Sequence, residues 1–317
     1  MDSFGAFPVR RAWFPRPPMS RFIRLLGYAL AGLVALVAVA YGAVTWISTA
    51  RLHRIYTVTV ESVPIPGDAG AIARGRHLAV VRGCAECHGD DLGGAVVVDN
   101  ALLGTVHGPN LTRGRGGATA GLTDADWVRA IRHGIGATGR PLFIMPSEDM
   151  AHYSDDDVGA IIAYAKSVPP VDRATVPIRL GPLGRVLVTV GAIQLAADKI
   201  DHNHIGPDRT PPGVTVAYGR YLAVTCVGCH GPRFTGGKIA GAPPDWPPAK
   251  NLTPDPSNAI SKWTEQDFIN TLRTAHRPDG TELSPVMPRA MGQMTDDELK
   301  ALWLFLRTLD PVPNGAN

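Results

Sequence analysis

The chain has 317 residues, 45% of them hydrophobic, and a formal net charge of +3. That length leaves room for about two domains and some additional segments, and so balanced a charge gives no basis for nucleic-acid binding. With 35 Gly and 28 Pro, the composition favours short helices separated by long loops.

Residues 1–20 are rich in Arg, Pro and aromatic residues and show no period, so 1–21 reads as a disordered cytoplasmic tail. From Leu25 to Ala50 there is no charged residue, a run of 26. A membrane-crossing helix needs about 20 apolar residues, whereas the core of a secretory signal has about 7–15. Residues 22–50 are therefore predicted to form a transmembrane anchor, although Ala38-Val39-Ala40 also resembles a signal cleavage site. Arg10, Arg11, Arg16, Arg21 and Arg24 precede the run, and only Arg51 and Arg54 closely follow it. The positive-inside rule then places the N-terminus in the cytoplasm and the rest outside. Tyr41 and Trp46 suit the outer interface, and 51–71 reads as a linker.

Two stretches then use all four cysteines: Cys84-Ala85-Glu86-Cys87-His88 and Cys226-Val227-Gly228-Cys229-His230. C-x-x-C-H is the attachment signature of a c-type haem. Two thiols add to the two vinyl groups of one porphyrin, and the adjacent His becomes the proximal iron ligand. A single Cys₄ zinc site would have to bridge the 139 residues from Cys87 to Cys226, far beyond ribbon spacing. A thioredoxin-type dithiol would need a βαβ setting. The His that follows each second Cys separates haem from both alternatives. Haem attachment outside the cytoplasm agrees with the predicted anchor.

The two halves correspond. Cys87 to Met145 and Cys229 to Met287 are both 58 residues, and each Met precedes a Pro (Pro146, Pro288). Asn110-Leu111-Thr112 matches Asn251-Leu252-Thr253, and Leu122–Trp127 matches Trp263–Phe268. Tyr153–Asp157 matches Met294–Glu298, which gives a duplicated domain at 72–171 and 214–313. In each half the pattern predicts a helix running into the haem motif (about Ala71–Ala85 and Val216–Val227). A middle helix should start at Thr123 or Thr264, and a last helix at Ser154 or Thr295. Each of these four starts has an acid three residues on, but only Glu298 completes a strict capping box. Val158, Ile161, Ile162 and Ala165, like Leu299, Leu302, Trp303 and Leu306, form the apolar stripe of a packed last helix.

Met145 and Met287 are the predicted sixth ligands, because a thioether suits haem iron and raises its potential. Met150, Met291 and Met294 lie nearby without a matching Met in the other half, and His152 is a rival in the first. Asn110 and Asn251 read as turn residues or as donors to backbone or a propionate. Arg132 and Arg273 read as solvent-facing, and His107, His133 and His276 as surface or loop residues. Residues 172–213 match neither half. Leu180–Ala197 reads as an apolar linker helix, with a membrane-surface or docking helix as the alternative; His202 and His204 read as solvated.

With these residues in view, both halves resemble the class I cytochrome c family. The resemblance implies an all-α fold: an N-terminal transmembrane helix followed by two tandem cytochrome c domains. The second half is similar to the membrane-bound cytochrome subunits of bacterial alcohol, aldehyde and gluconate dehydrogenases, through Asn251–Asp255, Trp263–Phe268, Met287–Pro288 and Thr295–Leu299. Those subunits usually carry three C-x-x-C-H motifs, and this chain carries two. The expected sites are Cys84, Cys87, His88 and Met145 for one covalent haem c, and Cys226, Cys229, His230 and Met287 for the other. Irons closed on both sides imply an electron carrier with no catalytic residue. Its expected partners are a dehydrogenase subunit, a cytochrome or a terminal oxidase on the periplasmic face. A di-haem peroxidase is the enzymatic alternative and would need an open iron. A membrane-anchored sensor would need an output domain larger than the tail.

Overall fold

The computed structural model describes residues 21–205, 207–239, 242 and 245–314. The tail reading of 1–20, including Arg10, Arg11 and Arg16, lies outside these. The chain divides into two units, 1–46 and 47–317. The first contributes most of helix α1, Arg21–Leu52. Among the described residues this is the one helix long and apolar enough to cross a membrane. It is exposed throughout residues 21–43, whereas a helix at the surface of a soluble domain buries one apolar stripe.

The second unit begins with α2 (Ala69–Val81), α3 (Cys84–His88), strands β1 (Ala95–Asn100) and β2 (Gly104–Gly108), α4 (Asp124–His133), α5 (Ser147–Met150) and α6 (Asp155–Ser167). It continues with β3 (Arg179–Leu180), α7 (Pro182–Thr189) and α8 (Ala196–Lys199), and ends with α9 (Val216–His230), α10 (Glu265–Thr274) and α11 (Asp296–Leu306). The predicted starts of the middle and last helices all hold. Thr123, Ser154, Thr264 and Thr295 are N-caps, each accepting from the backbone N–H three residues on. The capping box is more widely used than the sequence implies. Asp126 accepts from the Thr123 N–H and Asp267 from the Thr264 N–H, both at 2.9 Å, so Asp serves where only Glu298 was expected.

In each half the helix leading to the haem motif packs on the last helix, α2 on α6 and α9 on α11. The crossing depends on a glycine. A Cβ on Gly75 would lie 1.9 Å from the Ala160 carbonyl oxygen, and one on Gly219 would lie 1.9 Å from that of Ala301. Leu78 and Leu222, three residues further on, are the buried counterparts that follow. This match refines the repeat. Gly75 lies nine residues before Cys84, while Gly219 lies seven before Cys226, so the first half holds two extra residues, Arg82-Gly83. They explain why the first helix breaks where α9 runs on. Gly83, at φ 76°, turns the chain through the left-handed region before α3 restarts.

Two expectations are corrected. The chain is mostly helical but not all-α: β1, β2 and β3 form an antiparallel three-stranded sheet. A bulge between Val96 and Val98 breaks the β1–β2 register, so the strict alternation that betrays a strand is missing. Leu180–Ala197 is likewise not one linker helix. It supplies half of β3 and two short helices parted at Gly191, where φ is 77°. Arg185 on α7 donates to the Ser48 and Thr49 hydroxyls at 3.1 Å, and Arg51 donates to the Val188 carbonyl at 2.6 Å.

Candidate haem centres

Helix α9 ends on the second motif, with Cys226, Cys229 and His230 at positions i, i+3 and i+4, which share one helix face. All three line a cavity of about 530 Å³, with Met287 and Met291 on its wall. Its apolar lining includes Ile260 and Leu302. His230 Nδ1 donates to the Lys250 carbonyl at 2.7 Å. A nitrogen bonded to a carbonyl must carry the proton, so Nε2 keeps its lone pair for a metal. Burial pushes the His230 pKa down, against the opposing pull of that carbonyl, and favours the neutral imidazole that a ligand must be.

The first motif repeats the arrangement on the separate helix α3. His88 Nδ1 donates to the Pro109 carbonyl at 2.9 Å, and burial again lowers the imidazole pKa. Burial also pushes the leading thiols, Cys84 and Cys226, up to about 11. Surroundings that resist a thiolate suit an uncharged thioether better than a thiolate–zinc site. On the second wall the Thr271 hydroxyl is buried without a hydrogen-bond partner. Donor set, oriented imidazoles and apolar cavity therefore fit a covalently bound haem.

Met145 and Met287 are both partly buried and packed against the core. Met150, Met291 and Met294 are core residues, at most 6% exposed. His152 is an exposed residue. Asn110 and Asn251 act on backbone. Each side-chain amide donates at 2.8 Å, to the carbonyl of Val171 or of Val312, and each carbonyl oxygen accepts from the Thr two residues on. They latch the loop after each haem motif to the strand of chain beyond the last helix.

Several polar residues sit elsewhere than expected. Arg132 is fully buried, donating to the Tyr153 carbonyl and Asp155 at the start of α6. Arg273 bonds the Gly292 carbonyl and Asp296 but is exposed, as expected. His133 is fully buried rather than on the surface, with Nδ1 3.1 Å from His202 Nδ1 and Nε2 3.4 Å from Glu61. His202 is consequently half-buried, while His204 pairs with Asp201 in solvent. His107 lies half-buried in β2, and His276 is exposed as expected.

A polar network between the halves has no forecast in the sequence reading. His77 on α2 bonds Glu298 on α11 at 2.8 Å. Tyr221 on α9 donates to the buried Asp157 on α6, which also takes Arg74 Nε at 2.8 Å. His77 and Tyr221 both lie two residues after the crossing glycine, and Asp157 and Glu298 both lie at the third position of the last helix. The contact is thus reciprocal, each half reaching for the other's acid.

The family model described as cytochrome c matches residues 216–310. The model described as cytochrome c oxidase, cbb3-type, subunit III matches residues 70–164. The chain is 26% identical to the fructose dehydrogenase cytochrome subunit of Gluconobacter japonicus, over 78% of this chain and 54% of that protein. It is 25% identical to the cytochrome c subunit of the quinone alcohol dehydrogenase of Gluconobacter oxydans, over 92% and 62% respectively. A diheme cytochrome c-type protein of Cereibacter sphaeroides is 28% identical, over 89% of this chain and 98% of that protein. The chain therefore spans little more than half the length of these dehydrogenase subunits, but nearly all of the di-haem relative.

Proposed function

We propose that this chain, with two cytochrome c domains for two covalently bound haem c groups, carries single electrons between redox proteins. The observation that carries this reading is the repeated site: a C-x-x-C-H motif whose imidazole is held by a backbone carbonyl, with a Met of the core 58 residues on. Haem c supplies a one-electron iron couple when bound. The protein's part is to hold each iron so that little moves when its charge changes. Cys84, Cys87, Cys226 and Cys229 would hold the two haems covalently, with His88 and His230 as imidazole ligands to the irons. Met145 and Met287 would supply a thioether to each iron, leaving no position for a substrate. The domains extend over 72–171 and 214–313, with 172–213 as connector.

Several relatives are named as cytochrome subunits of dehydrogenases, which supports a dehydrogenase as donor and a cytochrome or oxidase as acceptor. Helix α1, through 22–50, is the proposed single-pass anchor in a bacterial inner membrane, with the haem domains in the periplasm and the tail in the cytoplasm. Rapid mixing tests the carrier role. The fully reduced protein, mixed with an oxidised soluble cytochrome c, should deliver two electrons per chain. A reduced protein that is inert to redox proteins yet consumes peroxide would overturn the reading.

A further inference from the structure

Arg82 lies in the two-residue excess that distinguishes the first half from the second. It is only 8% exposed. Its Nη1 crosses to the other half, donating to the Leu222 carbonyl at 3.1 Å and to the Thr225 hydroxyl at 2.7 Å. The guanidinium carbon lies 4.5 Å from the ring centroid of Tyr153 and 5.1 Å from that of Tyr221. Nε and Nη2 are buried with no hydrogen-bond acceptor. The nearby acid, Asp157, is held by Arg74 and Tyr221, and no ion pair forms to Arg82 among the described residues.

An arginine stays charged in any protein environment. Burying that charge without a counter-ion is costly, and two tyrosine faces offset only part of the cost. The position indicates a use. Gly83 alone separates Arg82 from Cys84, and Thr225 directly precedes Cys226. The guanidinium bonds Thr225, and its charge acts on both leading thiols, Cys84 and Cys226, which places it near the attachment points of both haems.

We propose that Arg82 is a shared positioning residue for the two haem centres. Its unmatched charge favours the reduced state at both irons, and its bonds to Leu222 and Thr225 hold the two attachment helices together. The electrostatic part follows from charge alone. Reduction removes one positive charge at an iron, so a nearby buried cation stabilises the reduced form and raises the potential. A residue of the first domain thereby tunes the second, and two separate haems become a matched pair.

The proposal rests on the two-haem reading, and haem counting on the unaltered protein tests that reading separately: any number of covalent haems other than two would sink it. The link itself is tested by spectroscopic redox titration of R82Q and R82K. R82Q should lower both midpoint potentials, changing each reduced-to-oxidised ratio about tenfold at fixed solution potential. R82K, which keeps the charge, should restore most of the shift. R82Q with both haems attached and both midpoints unchanged would overturn the proposal, as would a shift confined to the first haem. If R82Q fails to take up haem, Thr225→Asp carries the test. A carboxylate against the guanidinium cancels its charge, so both midpoints should again fall, and unchanged midpoints overturn the proposal.

Discussion

At the scale of single residues, the two histidines proposed as haem ligands show how a backbone atom decides chemistry. His88 and His230 are legible from the motif, but their acceptors, the carbonyls of Pro109 and Lys250, are not. A backbone carbonyl some 20 residues away leaves no side-chain signature. Met145 and Met287 are proposed as ligands on their equal spacing and shared Pro. Met287→Ala should abolish the Met-to-iron absorption band for one haem and lower that haem's potential, and Met145→Ala should do the same for the other. Full band strength in either variant would remove that methionine as a ligand. Asp149 gives a pH prediction. Burial pushes its carboxyl up to about 6, helped by Glu148 and opposed by Lys199. The folded state then binds a proton that the unfolded chain has already released, so stability should fall as pH rises from about 4 to about 6. Chemical denaturation across that range should show the decline, and Asp149→Asn should flatten it. Arg132 and His133 show the limit of single-residue reading. Both sit at the end of an amphipathic helix, and only the α6 and 196–204 segments that cover them make them buried.

At the scale of elements, helix starts were readable because a Ser or Thr with an acid three residues on has one local use. The reach of Asp was underestimated, since Asp126 and Asp267 close their boxes as Glu298 does. Thr264→Ala should cost about 1 kcal/mol of stability, read by denaturant midpoint. The crossing of α9 with α11 is the more demanding contact. Gly219→Ala puts a methyl where the Ala301 carbonyl already stands, so the helices must separate. The expected loss is about 1–3 kcal/mol, with weaker haem retention in the second domain only. A variant as stable as the parent would show that the crossing tolerates a side chain. Neither glycine could be assigned this role in advance, because close approach is a property of two helices, not of one. The β1–β2 hairpin escaped for a different reason: its bulge removes the alternation on which strand reading depends.

At the scale of the molecule, the duplication was legible from spacings alone, and the asymmetry within it was not. The pairs that join the halves, His77 with Glu298 and Tyr221 with Asp157, are 221 and 64 residues apart in sequence. No local pattern announces contacts of that range. The insertion of Arg82-Gly83 was visible only once the crossing glycines had set the alignment. The orientation of the whole chain is tested by a reporter fused after Asn317, which should be active in the periplasm; cytoplasmic activity would reverse the assignment of sides.

The central claim is that both irons are closed by protein ligands, so that the chain moves electrons and does not process a substrate. Electron paramagnetic resonance of the oxidised protein, before and after peroxide, tests it most directly. Two low-spin haems with histidine–methionine character, unchanged by peroxide, are the predicted result. A high-spin, five-coordinate haem that is altered by peroxide and turns it over would contradict the account.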